Sequence, residues 1–261
     1  MEDIARQNGK EVGPEILQAY KETAQQEFEQ VQNIQLTFLD LFKTPILRAN
    51  VLLMIANRSL TSMLFESNLR NVENLPFSIY VTYTIYSFFE FPSDIASIWG
   101  LEILGRRWSA CLSLLAFSLT SFICIFSLEN SIVITVMGMI GRLFIIYAMN
   151  VAAQLSLEVV PTQLRGQGNA LANVCAQVSN FFAPQIVYSK VHDPSMPFIL
   201  MCSFAVLASI NAFFLPETAG IKLPDSINEA EILFKRQTAF SFQRSGKIGP
   251  AEEQDCKDVE N

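Results

Sequence analysis

Six long apolar stretches alternate with short polar segments along the middle of the chain. They run over about residues 46–65, 77–99, 109–127, 132–156, 169–189 and 197–215. A helix needs about 20 largely apolar residues to cross a hydrocarbon core of about 30 Å. Residues 108–126 and 196–215 are apolar around the whole helical circumference, whereas a helix of a soluble bundle keeps one polar face. The pattern predicts an all-α membrane protein with six transmembrane helices.

Basic residues collect at one set of predicted helix ends. They are Lys43, Arg48, Arg106, Arg107, Arg165, Lys222, Lys235 and Arg236. The opposite ends carry Arg70 and Lys190, each close to an acidic residue. By the positive-inside rule the basic ends face the cytoplasm. We therefore expect both termini in the cytoplasm, as an even number of spans requires.

The polar ends of the chain predict three parts. Residues 1–45 are expected to form a cytoplasmic segment with one polar helix, which runs from Pro14 to about Ile34. Residues 46–215 form the six-helix bundle. Residues 216–261 are charged and mostly aperiodic, so we expect a cytoplasmic tail with a short helix over about 229–236 and disorder at the end.

The composition supports a membrane protein and gives no sign of an enzyme. The chain is 51% hydrophobic and 16% charged, with a mean hydropathy of +0.30, against about 25% charged in soluble domains. No basic cluster with interleaved aromatic residues indicates nucleic-acid binding. The five cysteines lack a CxxC pattern and read as reduced core residues. His192 is the only histidine, and no hydrolase, zinc or phosphate-binding motif accompanies it. We predict no catalytic residues, metal site or cofactor.

Four charged residues interrupt the predicted spans: Arg58, Glu90, Asp94 and Arg142. A charge in the bilayer core costs about 2.5–3.5 kcal/mol or more, so each one calls for a partner or a role. Glu90 and Asp94 are four residues apart on one helical face, and Arg58 or Arg142 could pair with that face inside the bundle. Alternatively, Asp94 and Arg142 reach water from near the span ends.

Two tight connections and two internal prolines suggest moving parts. Residues 101–108 join two spans through Gly105 and carry Glu102, Arg106 and Arg107, and residues 158–168 place Glu158 and Arg165 around another turn. These segments are either ordinary turns that follow the positive-inside rule or gates of a bundle built from repeats. Pro92 and Pro184 each remove a backbone hydrogen bond, so a kink is expected at both.

These two loops resemble those of the major facilitator superfamily. The organic cation, anion and zwitterion transporter branch of that superfamily is resembled by two segments, residues 41–48 and residues 215–225 together with 229–231. Asn8-Gly-Lys10 resembles the loop before that family's seventh helix. The resemblance covers almost the whole chain to about residue 235. It implies that the six spans are the family's helices seven to twelve, half of a twelve-helix fold with a 3+3 inverted repeat.

The resemblance also implies roles for individual residues. Gate residues would be Glu102, Arg106, Arg107, Glu158 and Arg165. The substrate-binding cavity would include Phe65, Asn150 and Gln177, joined by the intramembrane charges Arg58 and Glu90. Gln177 stands where cation carriers often have Asp and anion carriers Arg, Arg58 replaces an aromatic residue, and Glu66 replaces an uncharged ring.

The sequence thus predicts transport of a small organic ion by alternating access, as the C-terminal half or a truncated form of a carrier. Its partners would be the ion, the lipid bilayer and a second six-helix unit, and the family suggests the plasma membrane. The alternative is a non-transporting membrane protein, an interaction partner or relic that keeps the half-fold.

Overall fold

The computed structural model describes residues 41–71, 79–219, 224 and 230. The predicted helix from Pro14 and most of the predicted tail lie outside these residues. Within them the chain is all-helical, as predicted. In chain order the helices are α1 (Pro45–Arg70), α2 (Ile79–Ile103), α3 (Arg106–Phe126), α4 (Ser131–Glu158), α5 (Arg165–Ser179), α6 (Ala183–Tyr188) and α7 (Met196–Phe214).

Each of the six apolar stretches contains a helix. The fifth is divided, because a 3-10 turn over Asn180–Phe182 separates α5 from α6, directly before Pro184. α2 runs as one α-helix through Pro92. Among the described residues, α3, α4 and α7 are long and apolar enough to cross a membrane.

The bundle has α1, α3 and α4 at its centre. α3 packs against α4 and α7, α1 packs against α4, α5 and α7, and α2 packs almost entirely on α4. Hydrogen bonds fix the directions: Arg58 of α1 reaches Met149 of α4, and Arg142 of α4 reaches back to Phe65 of α1. α1 and α4 are therefore antiparallel.

Small polar residues allow close contact between α3 and its neighbours. Cys111 and Ser209 exchange hydrogen bonds with each other's backbone carbonyls, Sγ to O at 3.5 Å and Oγ to O at 3.1 Å. Tyr147 Oη of α4 donates to Ser109 Oγ of α3 at 3.1 Å. Small residues and hydroxyl groups at helix crossings are typical of helix packing in membranes, where no hydrophobic effect holds the helices together.

α1 and α2 both pack on α4 and make at most marginal contact with each other. α4 therefore forms the floor of a groove, and α1 and α2 form its walls. We call it the polar groove because of the polar side chains described below.

Candidate functional site

An ion pair lies deep in the polar groove. Arg142 Nη2 lies 2.5 Å from Glu90 Oε1, and the Arg142 side chain is 1% exposed whereas that of Glu90 is 44% exposed. The guanidinium also lies over the Phe65 ring, with Cζ 4.1 Å from the ring centroid, and donates to the Phe65 carbonyl at 3.4 Å. One cation thus joins α4 to both walls of the groove, and it leaves part of the carboxylate open.

The second carboxylate of α2 has a different environment. Asp94 Oδ1 accepts a hydrogen bond of 2.7 Å from Asn150 Nδ2, and Asp94 is exposed. The same amide lies 3.4 Å from Ser97 Oγ. Among the described residues no Lys or Arg side chain forms an ion pair with Asp94. The side chain that bonds to its carboxylate in this part of the chain, Asn150, is therefore neutral.

Arg58 lies on the other wall and pairs with no carboxylate in the described part of the chain. Its Nη1 donates to the Met149 carbonyl at 3.1 Å and lies 3.4 Å from Met149 Sδ, and its Nη2 lies 3.4 Å from Asn173 Oδ1. Nε is buried with no hydrogen-bond partner among the described residues. Arg142, rather than Arg58, is thus the cation that pairs with the acidic face of α2.

Gln177 lies on α5, and among the described residues no hydrogen bond joins it to the other predicted cavity residues. Its Oε1 accepts from Asn180 Nδ2 at 3.2 Å, and Asn180 Oδ1 in turn accepts from Ser62 Oγ of α1 at 3.0 Å. Gln177 itself is exposed. The structure therefore brings Phe65 and Glu90 together through Arg142 and places Asn150 beside Asp94, while Gln177 stays apart on α5.

A second cluster of charges lies where α3 begins and α4 ends. We call this end of the bundle, which holds Arg106 and Glu158, the basic end. Arg106 Nε lies 3.2 Å from both Glu158 carboxylate oxygens. Glu158 also accepts from Gln154 Nε2 at 2.9 Å and from the Thr218 hydroxyl. Arg106 thus pairs with Glu158 of α4 although Glu102 lies four residues before it, and Glu102 is exposed.

Glu217 closes this cluster from beyond the end of α7. Its carboxylate accepts hydrogen bonds from the backbone N–H groups of Arg106 at 2.8 Å, Arg107 at 3.2 Å and Ala219 at 3.1 Å. The residue before α3, Gly105, offers no capping side chain. Free N–H groups at a helix start and the helix dipole both favour a carboxylate there. Glu217 therefore caps α3 from a segment more than a hundred residues away in sequence.

The remaining predicted gate residues are buried to different extents. Arg107 is 4% exposed, and its guanidinium lies 4.4 Å from the Phe213 ring centroid. Arg165 at the start of α5 is partly buried. For both residues, Nε and Nη2 are buried and have no hydrogen-bond partner among the described residues. Arg106 and Glu158 are the two predicted gate residues that the structure joins directly.

Three contributors to these clusters have no role in the sequence-based predictions: Asn173, Glu217 and Thr218. Asp94 was singled out as an interrupting charge that either pairs inside the bundle or reaches water. A usable signal exists for Glu217, since a lone acid directly follows the apolar stretch of α7 and Arg106-Arg107 opens α3. Asn173 carries no such signal. It is a neutral amide in a helix rich in small residues, and the sequence does not show which side of that helix packs against α1.

Comparison with known proteins shows the family to which this chain belongs. The model of the family described as "Sugar (and other) transporter" matches residues 4–229. The chain is 25% identical over 234 residues to solute carrier family 22 member 6 of Pseudopleuronectes americanus, with 88% of this chain and 42% of the relative aligned. It is 28% identical to organic anion transporter 3 of Oryctolagus cuniculus (75% and 36% covered) and 27% identical to human organic cation/carnitine transporter 2 (73% and 34% covered).

The chain spans about two fifths of the length of these relatives. The matched region includes every described helix, the polar groove and the cluster at the basic end. With its all-helical fold and its apolar helices, the chain is an integral membrane protein that belongs to the sugar (and other) transporter family and whose relatives include members of solute carrier family 22.

Proposed function

We propose that this chain is the C-terminal half, or a shortened form, of a carrier that moves small organic ions across a membrane by alternating access. The observation that carries the proposal is the Glu90–Arg142 pair, in which a fully buried guanidinium neutralises a carboxylate that is itself 44% exposed. An intramembrane charge is expensive unless it faces a partner or an aqueous path. Glu90 has both a partner and an open side, as a cavity residue would.

The cavity in this proposal is the polar groove. Phe65, Glu90 and Asn150 would line it together with Arg58, and Gln177 would contribute from α5. These side chains offer an aromatic face, amides and charges of both signs, which is suited to small ions rather than to large apolar ligands. No chemical step is involved: the substrate binds, the bundle changes its opening, and the substrate leaves on the other side.

The cluster at the basic end would act as the gate. Arg106 and Glu158 connect the start of α3 to the end of α4, and Glu217 ties the segment after α7 to the same point. Such a charge cluster holds one arrangement of the helix ends and breaks as a unit when the helices part. Glu102, Arg107 and Arg165 would exchange partners as it opens.

The arrangement in the membrane completes the proposal. All six helical stretches would cross the bilayer, with α5 and α6 as the two halves of one span, and both termini would lie in the cytoplasm. Residues 1–45 and 216–261 would form cytoplasmic segments around the bundle. A second six-helix unit would supply the other cavity wall, and the plasma membrane is the proposed location.

Uptake by proteoliposomes tests this function. The chain would be reconstituted alone and together with the N-terminal six helices of a solute carrier family 22 relative, and offered labelled organic cations, anions and zwitterions. We expect uptake from the paired sample that saturates with substrate and is reduced at least tenfold by Glu90→Gln. Uptake no faster than protein-free liposomes, from correctly inserted protein, would contradict the proposal.

A second candidate function is a non-transporting membrane protein that keeps the half-fold and binds other membrane proteins. The same uptake experiment separates the two, because such a protein would associate with the six-helix partner without transport.

A further inference from the structure

A small polar cavity lies inside the bundle, where side chains of α1, α2, α3, α4 and α7 meet. Its volume is about 20 Å³, and no charged residue is among the described residues that line it. Its polar lining consists of Asn68, Asn71, Tyr86, Thr120 and Ser121. Each of these five residues is less than a tenth exposed. The cavity is therefore a buried and neutral site, separate from the charges of the polar groove.

The cavity lies between two helices that hardly touch. Asn68 stands near the end of α1 and Thr120 near the end of α3, and α1 and α3 make at most marginal contact with each other. Two glycines of α4 leave room at this place. An added Cβ would lie 2.7 Å from Tyr86 Oη at Gly138 and 3.0 Å from Thr120 Oγ1 at Gly141. The hydroxyl groups of α2 and α3 thus lie directly against the backbone of α4.

One acceptor in this cavity lacks a donor. Asn68 Oδ1 is buried and accepts no hydrogen bond from any described residue. Thr61 Oγ1 and Asn211 Oδ1 are also buried without a partner in that part of the chain, but neither residue lines the cavity. An unpaired amide oxygen is costly inside a membrane bundle, where no bulk water can reach it. Asn68 therefore needs a donor, and the cavity is the space that can hold one.

The other polar groups determine which donor fits. Thr120 and Ser121 both donate to the Phe117 carbonyl, at 2.8 Å and 3.1 Å, so their oxygens offer lone pairs to the cavity, whereas the Tyr86 hydroxyl can donate. A buried water needs about 10–15 Å³ and two to four polar partners. Water can donate to Asn68 and to a hydroxyl oxygen and accept from Tyr86.

Other occupants fit less well. Pockets for organic ligands have about 300–1,000 Å³, far more than this cavity. A metal cation would lie without a counter-charge, because no acid lines the cavity among the described residues, and the buried Arg142 directly follows Gly141 in α4. Volume and polarity together favour a single water molecule.

We propose that this cavity binds one ordered water molecule, which bridges Asn68 of α1 to the Thr120 and Ser121 hydroxyl groups of α3. The water is a structural ligand that joins two helices with little direct contact. It fixes the ends of α1 and α3 that lie opposite the basic end, because α3 begins at the basic end and α1 is antiparallel to α4. The inference goes beyond the proposed function and does not depend on transport.

Replacing Asn68 with an apolar residue of similar size gives opposite results for a bridged and an unpaired oxygen. Removing an unpaired buried oxygen would raise the midpoint of thermal unfolding, whereas removing one that a water bridges lowers it. We expect Asn68→Leu to lower the midpoint by about 2–6 °C. Asn130→Leu is the matched control, since Asn130 is exposed at the start of α4, and it should leave the midpoint unchanged. A higher midpoint in Asn68→Leu would overturn the proposal.

A double-mutant cycle tests the bridge itself. Ser121→Ala and Thr120→Val each remove one partner of the water, and each is combined with Asn68→Leu. We expect the shift in the double variant to be smaller than the sum of the single shifts, because one water carries both bonds. Ser118→Ala is the control on α3, since Ser118 donates to the Leu115 carbonyl at 2.8 Å and does not line the cavity. Additive shifts in both cavity pairs would contradict the bridge.

The unsubstituted chain in lipid nanodiscs provides a direct measurement that does not depend on the folding of a variant. With ¹⁵N-labelled asparagine, the Asn68 side-chain amide protons should show cross-relaxation with a long-lived water, in sodium chloride and in choline chloride alike. The unfolding midpoint should also be equal in the two salts. No water contact at Asn68, or a midpoint that rises with sodium alone, would overturn the proposal, the latter in favour of a bound sodium ion.

Discussion

The guanidinium groups of Arg142 and Arg58 contact different kinds of partner. The Arg142 guanidinium bonds to the Glu90 carboxylate and the Phe65 carbonyl and lies over the Phe65 ring, and its Nε is buried without a partner among the described residues. Arg58 instead bonds to neutral oxygens and a sulfur. A planar guanidinium can serve a carboxylate, a carbonyl and an aromatic face together, which a lysine ammonium cannot.

Arg142→Lys tests whether this three-way contact matters. We expect the variant to lose about 1–3 kcal/mol of stability, because one ammonium cannot keep both the Glu90 bond and the contact with the Phe65 face. Thermal unfolding in detergent measures the loss. Arg70→Lys is the matched control, since Arg70 is exposed and forms one i,i+4 pair with Glu66. Equal midpoints for the two variants would show that the buried contacts contribute nothing.

The charges inside the spans could be found from the sequence, but their pairing could not. Arg58 and Arg142 both interrupt apolar stretches, and the sequence left both open as partners of the face of α2 that carries Glu90. Which of them pairs depends on how α1 and α4 are rotated about their axes, and a nearly all-apolar helix gives little periodic signal for that rotation. For the same reason, the sequence did not show that Asp94 bonds to Asn150.

At the scale of elements, the helix positions followed closely from the apolar stretches. The fourth stretch was predicted over about 132–156, and α4 runs from Ser131 to Glu158. α1 extends one turn beyond its predicted end because Glu66, Ser67 and Arg70 continue the helix in a more polar environment. Long apolar runs determine helices well, since the unbonded backbone cannot be left in lipid. The capping of α3 by Glu217 was missed because it joins segments distant in sequence.

The turn between α2 and α3 depends on glycine. Gly105 has φ 81° and ψ 170°, a conformation that residues with a Cβ rarely adopt, and an added Cβ would lie 2.8 Å from Glu217 Oε2. Gly105→Ala should therefore cost about 1–3 kcal/mol of stability. Gly166→Ala is the control, because nothing lies within 4 Å of its added Cβ and it is helical, so it should be neutral or stabilising by up to about 1 kcal/mol. Thermal unfolding compares the two, and an unchanged midpoint for Gly105→Ala would contradict the structure here.

Glu217 provides a second test of the same joint. Glu217→Gln keeps one acceptor oxygen but loses the charge and part of the three N–H contacts at the start of α3. We expect a loss of about 0.5–2 kcal/mol, as for other helix caps. Hydrogen exchange at the Arg106 and Arg107 amides should rise in this variant and stay unchanged in Asp193→Asn. Unchanged exchange at both amides would show that Glu217 is not the cap.

At the scale of the whole molecule, the charged residues that lie inside the described helices, away from their ends, are on α1, α2 and α4: Arg58, Glu90, Asp94 and Arg142. α3 and α7 present apolar side chains outward, among them Leu119 and Leu207, whereas α1, α2 and α4 place charges toward the groove between them. A membrane protein gains from this separation because lipid then meets hydrocarbon and water meets the charges. The described helices α1, α2 and α4 together supply the floor and both walls of the polar groove.

Cysteine accessibility in the membrane tests most directly whether the groove is open to water. In a cysteine-free background, single cysteines at Glu90, Asn150, Leu119 and Leu207 would be exposed to a charged, membrane-impermeant thiol reagent. We expect rapid labelling at the first two positions, in the groove, and little labelling at the last two, where lipid should cover the side chain. Labelling of the apolar pair at the same rate as the groove pair would contradict a shared aqueous interior.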